Sequence, residues 1–202
     1  MLKLPEITEL RKPLPKAKVY RKFELTNAQA AKFDADISRI DIVNEVSART
    51  IPAIKEGQKV KSFYLLSVTL KTKDYDPKTI EKIAKLILQN LVFALQFEEE
   101  VQLTVFCEKL FTTEWMAETK AAIELTGLNF DEVWENIIKK IEGGEWKCDL
   151  SLEENIEIKE KQEKLQKEID RLEKLARKEV QPKKKYELVN QKRKLEKELK
   201  SL

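Results

Sequence analysis

Residues 91–107, LVFALQFEEEVQLTVFC, decide the fold class of this 202-residue chain. Residues 91–97 are almost continuously apolar, which is typical of a central strand covered on both faces. Three glutamates then interrupt the run, and apolar residues resume in alternation over residues 101–107, as in a half-buried strand. The stretch therefore predicts a short hairpin. Three consecutive side chains do not converge easily, so we interpret residues 98–100 as a solvated turn rather than a metal site.

The neighbouring segments predict a sheet with packed helices. Alternating apolar residues over 60–71 predict the longest strand, with Val60, Tyr64, Leu66, Val68 and Leu70 on one face. Asp76-Pro77 predicts a helix start, because aspartate caps helices and proline lacks an N–H that the first helical position does not need. Asn129 precedes apolar residues at helical spacing, and Gly143 ends that helix. We predict an α+β fold, with a small mixed or antiparallel sheet.

The segments before residue 60 predict an arm, a helix and a further strand. Residues 1–22 carry three prolines among basic residues, and because proline favours extended geometry in the residue before it, we predict an extended arm. Its expected anchors on the body are Leu4, Ile7, Val19 and Tyr20. Thr26 or Asn27 predicts the start of a helix that runs to about residue 39, and a strand is predicted at residues 40–46.

Charge divides the chain into three parts. Charged residues make up 37% of the sequence, yet 39 basic and 36 acidic residues leave a net charge of only +3. The total combines a basic arm at residues 1–22 (+5), an acidic α+β body at residues 23–150 (−6) and a basic appendage at residues 151–202 (+4). Such asymmetry is typical of proteins that meet nucleic acid or an acidic partner, and also of a solvated helix surface.

Composition excludes several classes of enzyme. The absence of histidine excludes Ser-His-Asp triads, Cys-His pairs and imidazole zinc sites. The four glycines form neither GxGxxG nor GxxxxGK[ST], the usual phosphate-binding loops. Cys107 and Cys148 form no CxxC, and we interpret them as reduced thiols. With no apolar membrane segment and no signal-peptide pattern, we expect a cytoplasmic protein with no cofactor, metal or membrane contact.

Residues 151–202 predict charged helices that need a partner. One seam is formed by Ile158, Leu165 and Leu172 with Gln162, Ile169 and Ala176 between them. A second is formed by Leu188, Leu195 and Leu202 with Lys192 and Leu199 between them. This seven-residue spacing is coiled-coil-like, but so narrow a seam is marginal in an isolated helix. Either the helices fold back as an antiparallel hairpin around Pro182, or they continue as one bent helix against another chain.

The appendage supplies the candidate binding residues. We predict that a protein partner or a second copy of the chain binds at the seam residues Leu165, Ile169, Leu172, Leu188, Leu195 and Leu199. Two basic clusters about two and a half turns apart could follow phosphates by charge alone, without a base-reading motif. These candidate nucleic-acid-binding residues are Lys183, Lys184, Lys185, Lys192, Arg193 and Lys194. The alternative interpretation of the clusters is the solvated face of a coiled coil.

A Mg²⁺-dependent nuclease, or another nucleic-acid-processing enzyme, is the alternative function. Such a site commonly combines one carboxylate with an acid-x-Lys motif on the next strand. Asp41 and Glu45 could supply the first half, but the next strand ends Thr69-Leu70-Lys71, with threonine where a carboxylate ligand is needed. The sequence therefore identifies no catalytic or metal-binding residue, and it favours a non-enzymatic protein.

Several short motifs follow one another along nearly the whole chain. They are Leu14-Pro15-Lys16 with Tyr20, Leu25-Thr26, Val68-Thr69-Leu70-Lys71, residues 91–97, Thr113-Glu114-Trp115, Gly127-Leu128-Asn129, Val133-Trp134-Glu135-Asn136, Arg177-Lys178-Glu179 and Lys185-Tyr186-Glu187-Leu188-Val189-Asn190. Their order resembles domain-of-unknown-function family 4391, a family of uncharacterised prokaryotic proteins.

The resemblance implies a role beside DNA-processing enzymes. Members of the family look like neighbours of helicases and DNA methyltransferases in restriction-type and antiphage defence loci. They often carry an acidic residue where this chain has Thr69, which further weakens the nuclease hypothesis. We therefore expect a non-enzymatic accessory or adaptor protein of a DNA-transacting system. It would dock a helicase, a methyltransferase or a second copy of itself through its C-terminal helices.

Overall fold

The computed structural model describes residues 2–107, 109–143, 152–179 and 181–201, which form two compact units. Unit 1 covers residues 1–144 and unit 2 covers residues 145–202. The predicted boundary between residues 150 and 151 lies outside the described residues, as does Cys148. Over the described ranges, the chain contains no helix that is both long and apolar enough to cross a membrane.

A mixed sheet forms the centre of unit 1. Its strands are β1 (Glu9–Pro13), β2 (Ile37–Ser47), β3 (Ser62–Leu70), β4 (Asn90–Phe97), β5 (Glu100–Cys107), β6 (Lys109–Thr112) and β7 (Met116–Ala117). Strands β1 to β6 lie in sequence order across the sheet, and β7 pairs with β5. All neighbours are antiparallel except β3 and β4, which are parallel. The predicted α+β class with a mixed sheet is confirmed.

Helix α3 (Pro77–Leu86) provides the crossover between the two parallel strands. Parallel neighbours cannot be joined by a tight turn, so the chain must return to the starting end of the sheet. The predicted start is confirmed: the Asp76 side chain accepts a hydrogen bond from the Lys78 N–H, and Pro77 is the first helical residue. Ile80 and Ile83 are fully buried, because the apolar stripe of α3 faces the sheet.

One face of the sheet holds a hydrophobic core cluster. Helices α1 (Lys16–Lys22), α2 (Asn27–Asp36) and α3 contribute buried side chains to it, and β3 and β4 contribute every second residue. Its buried members are Val19, Phe33, Ile37, Ile40, Leu66, Val68, Leu70, Ile80, Ile83, Ala84, Leu91, Phe93 and Leu95. The alternation in β3 and β4 is the period-2 pattern of a strand, which places the residues between them on the opposite face.

Helix α4 (Phe130–Glu142) covers that opposite face. The ring centroids of Phe63 and Trp134 are 5.7 Å apart, and Phe63 lies on the side of β3 away from that core cluster. As predicted, the Asn129 side chain caps α4 by accepting a hydrogen bond from the Glu132 N–H. Gly143 ends the helix in the left-handed region at φ 70°, where glycine carries no Cβ penalty.

The predicted hairpin of residues 91–107 is confirmed. Strands β4 and β5 pair from Phe97↔Glu100 to Val92↔Val105, and the turn contains Glu98 at φ 53°. Residues 91–95 expose 2% of their surface or less, so β4 is a central strand covered on both faces. The local sequence alone therefore identified a strand that is buried on both faces of the sheet.

The predicted extended arm is wrong for residues 16–22, which form α1. The three prolines all precede this helix, so they do not oppose helical geometry inside it. Residues 9–13 are extended, as predicted, and form an edge strand of the sheet. Among the predicted anchors, Leu4 and Val19 are buried and Tyr20 is half-buried, whereas Ile7 is 71% exposed.

Helix α2 ends three residues earlier than predicted. Thr26 caps its start as expected, through a capping box with Gln29. At its end the buried Asp36 carboxylate accepts hydrogen bonds from the Asp76 N–H (3.2 Å) and the Thr79 hydroxyl (3.3 Å). This contact with the start of α3 fixes the end of α2, and the chain enters β2 at Ile37.

The Asp131 carboxylate holds the loop before β3 against the start of α4. It accepts hydrogen bonds from the N–H groups of Gln58 (2.6 Å), Lys59 (3.1 Å) and Val60 (2.7 Å). A Cβ atom at Gly57 would lie 2.3 Å from the Asp131 Oδ1 atom, so only glycine fits. Desolvation raises the pKa of Asp131, but the three N–H donors outweigh it and leave the pKa below its ordinary value.

We expect Asp131→Asn to lower the free energy of unfolding by about 1–3 kcal/mol, because an amide cannot accept all three hydrogen bonds equally well. A lowered folded-state pKa means that the stabilisation is present above the unfolded-state value and is lost as pH falls through the folded-state value. Urea unfolding at neutral pH and at pH 3 measures both effects. The exposed Asp74→Asn is the matched control, and equal losses in the two variants would contradict the prediction.

Candidate functional site

Two helices make up the described part of unit 2 and fold back on each other. Helix α5 spans Leu152–Lys178 and α6 spans Pro182–Ser201. The two helices contact each other, with Lys192 Nζ 3.0 Å from Glu173 Oε2 and Lys161 Nζ 3.3 Å from Glu198 Oε1. These pairs run in opposite directions along the two helices. The structure therefore adopts the antiparallel hairpin, the first of the two arrangements that the sequence left open.

The predicted seam residues line the contact between the two helices unequally. On α5, Ile169 and Leu172 are 4% and 7% exposed. The remaining seam residues, Leu165, Leu188, Leu195 and Leu199, are only half-buried. Two helices alone cannot enclose an apolar seam, because each side of the pair stays open to solvent. The hairpin thus closes part of the seam and leaves the rest accessible.

Lys192 occupies a seam position and bridges the two helices. Besides Glu173, its Nζ atom lies 3.4 Å from Glu196 Oε1 on the same helix. The hydrogen bond from Lys192 lowers the pKa of Glu173, with a further contribution from Arg177, and the hydrogen bond to Glu173 raises the pKa of Lys192. Lys192 therefore differs from the other predicted phosphate-binding residues, because its charge is already engaged within the hairpin.

The fold-back brings basic residues of both helices together at the tip of the hairpin. Lys178 in the last turn of α5 and Lys184 in the first turn of α6 line one groove. Lys183, Lys184 and Lys185 are all exposed. Arg193 and Lys194 are exposed as well, but they lie farther along α6. We refer to Lys178, Lys183, Lys184 and Lys185 as the tip lysines.

A second basic feature, the outer stripe, was not predicted. Lys167, Arg171, Lys174 and Lys178 follow one another at spacings of four, three and four residues, which is one face of α5. All four are exposed and line a shallow groove together with Leu175, which is 44% exposed. They span about 16 Å along the helix. Their spacing is the helical signal in the sequence, but these residues do not form a run of adjacent basic residues like the one at residues 183–185.

The family model described as "Domain of unknown function (DUF4391)" matches residues 2–199. The chain belongs to this family. The resemblance seen in the order of its motifs is thereby confirmed, and the match includes both units of the DUF4391 chain. Comparisons with curated proteins and with solved structures return no match.

The carboxylates of the alternative nuclease hypothesis lie on β2 of the DUF4391 chain. Asp41 pairs with Arg39 at 2.5 Å and Glu45 with Arg49 at 3.3 Å. Arg39, not an acid, stands opposite Thr69 in the register of β2 and β3. Within the part of the chain that the structure describes, no three His, Cys, Asp or Glu side chains converge as metal ligands would. The nuclease hypothesis stays a prediction without a supporting contact.

We expect charge reversal at either end of the Glu173–Lys192 pair to loosen the hairpin, because like charges would then face each other across it. Exchanging the two residues, with Glu173→Lys and Lys192→Glu together, should restore part of the loss, because each new side chain would also lie beside a like charge on its own helix, Arg177 or Glu196. Hydrogen exchange over α5 and α6 in the full DUF4391 chain measures this. The protection against exchange that the wild-type pair gives to the amides of α5 and α6 should fall as acid protonates Glu173 or as strong alkali deprotonates Lys192.

Arg171→Glu is the matched control for this exchange experiment. It changes the charge of the hairpin by the same amount as Lys192→Glu, but its partner Glu168 lies on the same helix. Equal exchange rates in the Arg171 and Lys192 variants, or no recovery in the double variant, would show that the Glu173–Lys192 pair does not hold the two helices together.

Proposed function

We propose that this DUF4391 protein is a non-enzymatic accessory or adaptor protein of a cytoplasmic, prokaryotic DNA-transacting system of the restriction or antiphage defence type. Its C-terminal hairpin would dock a helicase, a methyltransferase or a second copy of the chain. The observation that carries the proposal is that the seam residues Leu165, Leu188, Leu195 and Leu199 are only half-buried in the hairpin.

The geometry of the seam supports docking by helix addition. An antiparallel helix pair becomes a bundle when one or two further helices cover its apolar side. Leucines that are half-exposed in the isolated hairpin would then be fully buried, each contributing a fraction of the 1.5–3 kcal/mol that complete burial of such a side chain provides, about 1 kcal/mol. Ion pairs such as Lys161–Glu198 join the two helices and fix their register, so the hairpin presents its seam in one arrangement.

The tip lysines support contact with nucleic acid. Lys183, Lys184 and Lys185 lie in the first turn of α6, where the positive end of the helix dipole makes basic residues unfavourable. That first turn contains no acidic residue to compensate them. Helix stability therefore does not explain these lysines, whereas binding to phosphate groups would.

Docking is tested with Leu195→Asp in the full chain. We expect the variant to lose capture of its helicase or methyltransferase partner, or to lose self-association, because a carboxylate in the docked seam would be desolvated without a partner. Co-purification from native cells after nuclease treatment measures partner capture, and light scattering of the purified chain measures self-association. Circular dichroism verifies that the hairpin remains helical.

The control for docking is Leu88→Asp, because Leu88 is 90% exposed in unit 1. This variant introduces the same charge without touching the seam and should retain the partner. If the Leu195 variant stays helical and captures the same proteins as the control, the hairpin is not the docking surface.

Contact with DNA is tested by replacing Lys183, Lys184 and Lys185 with glutamine. We expect weaker binding to duplex DNA of any sequence, and a salt dependence reduced by up to about 2.7 in the slope of log K against log salt concentration. Fluorescence anisotropy at several salt concentrations measures both. The matched control replaces the exposed unit 1 residues Lys18, Lys55 and Lys61 with glutamine. Equal slopes in the two variants would place DNA binding elsewhere or make it a property of net charge alone.

A further inference from the structure

Unit 1 contains a pocket that neither the docking surface nor the DNA-contact proposal uses. The pocket has a volume of about 250 Å³, and residues of four separate segments line it. These are the segment that contains Lys3, the edge formed by β5 to β7, the turn at residues 120–124, and the last two turns of α4. Because a water molecule occupies about 30 Å³ in the liquid, this space corresponds to roughly eight waters. The pocket therefore suits a small ligand.

The base of the pocket is apolar. Leu103 of β5 and Ile137 and Ile141 of α4 are 5%, 4% and 3% exposed, and they close the inner side. Met116 and Ile123 complete the wall. Burial of alkyl surface here would provide roughly 25 cal/mol per Å² of ligand area. The base therefore favours a hydrocarbon group over a sugar or a peptide backbone.

Three lysines surround the apolar base. Lys3, Lys120 and Lys140 line the pocket together with one acid, Glu124, which leaves an excess of two positive charges. Glu124 Oε1 lies 2.7 Å from Lys140 Nζ, and this hydrogen bond, with a further contribution from Lys3, lowers the pKa of Glu124. The pocket thus already holds one carboxylate. Across the described residues, no carboxylate lies within ion-pair distance of Lys3 or Lys120.

Lys3 is held at the pocket by a strained segment. Leu2 and Lys3 have φ angles of 52° and 58°, a region that costs residues with a Cβ atom about 1 kcal/mol or more each. Leu2 compensates for this, because its side chain is 5% exposed and its carbonyl accepts a hydrogen bond from the Ile123 N–H at 3.1 Å. Leu2 and Lys3 are therefore fixed beside the pocket, at the cost of two unfavourable backbone conformations.

We propose that this pocket binds a small amphiphilic carboxylate, a short- or medium-chain fatty acid in type, with the alkyl group on the Leu103–Ile137–Ile141 base and the carboxylate between Lys3 and Lys120. The chemistry of the lining carries the assignment: an apolar base selects the chain, and two ammonium groups that form no ion pair with a described carboxylate select the charge. The site lies entirely within unit 1, so it is independent of the proposed role of the hairpin.

Octanoate is the probe, and Met116 reports on the site. The chain has two methionines, Met1 and Met116, so labelling with ¹³C-methyl methionine gives a signal at the pocket that Met116→Leu assigns. We expect octanoate to shift the Met116 signal saturably in the full chain. Octan-1-ol, which lacks the charge, should bind about tenfold more weakly. Sodium chloride should weaken the binding of octanoate but not the binding of octanol.

Two substitutions decide whether the lysines and the cavity are responsible. Lys120→Leu should lower octanoate affinity about tenfold and leave octanol unchanged, since the exposed Lys120 supplies only charge. Ala122→Phe should abolish binding of both by filling the space. Lys18→Leu, an exposed lysine on α1, is the matched control and should bind as the wild type does. The absence of a saturable shift, equal affinity for octanoate and octanol, or an unchanged Lys120 variant would each overturn the proposal.

Discussion

The burial of β4 on both faces is the constraint on which the rest of unit 1 depends. A strand in this position must pair its backbone groups on both edges, because an unpaired buried N–H or C=O group costs about 1–3 kcal/mol. β3 and β5 supply those edges. Its side chains also need an apolar cover above and below, which α3 provides on one face and α4 on the other. The parallel pairing with β3 then makes a helical crossover necessary, and α3 serves as both cover and connection.

The sequence predicted the elements whose patterns are local. The apolar stripe of α4, the Asp76-Pro77 start of α3 and the hairpin of β4 and β5 each carry their signal within a few residues. Helix α1 was missed because only Val19 of its seven residues is buried, which leaves no periodicity to detect. The end of α2 depends on hydrogen bonds that Asp36 accepts from Asp76 and Thr79, which are 40 and 43 positions away. Likewise, the pocket draws on four distant segments, so no single stretch of sequence encodes it.

For the hairpin, the heptad spacing predicted which residues form the apolar seam. It did not predict whether the seam packs against the same chain or against another one. The same seam serves a fold-back and a pairing with another chain, because both bury the same stripe. Only the structure shows that the two helices fold back on each other. It also shows that Lys178 and Lys184 line one groove at the tip, which depends on the reversal of the chain before Pro182. Lys192 shows the converse difficulty. It belongs both to a basic run and to the seam. Its contact with Glu173 across the hairpin follows from its place in the seam, not from its place in the basic run.

The composition of the hairpin sets a relation between its stability and its proposed role. Its seam contains few fully buried residues, and its ion pairs are at the surface, where such pairs contribute at most about 1 kcal/mol each. The basic first turn of α6 lowers its stability further. Any partner that covers the half-buried leucines binds the folded hairpin in preference to the unfolded one. The partner therefore stabilises the folded hairpin, and this stabilisation grows with the logarithm of the partner's concentration divided by the dissociation constant. Phosphate groups bound to the tip lysines would also stabilise the folded hairpin, because they would reduce the repulsion at the basic first turn of α6. Docking and ordering of the hairpin are then thermodynamically coupled, and each ligand would strengthen the binding of the other.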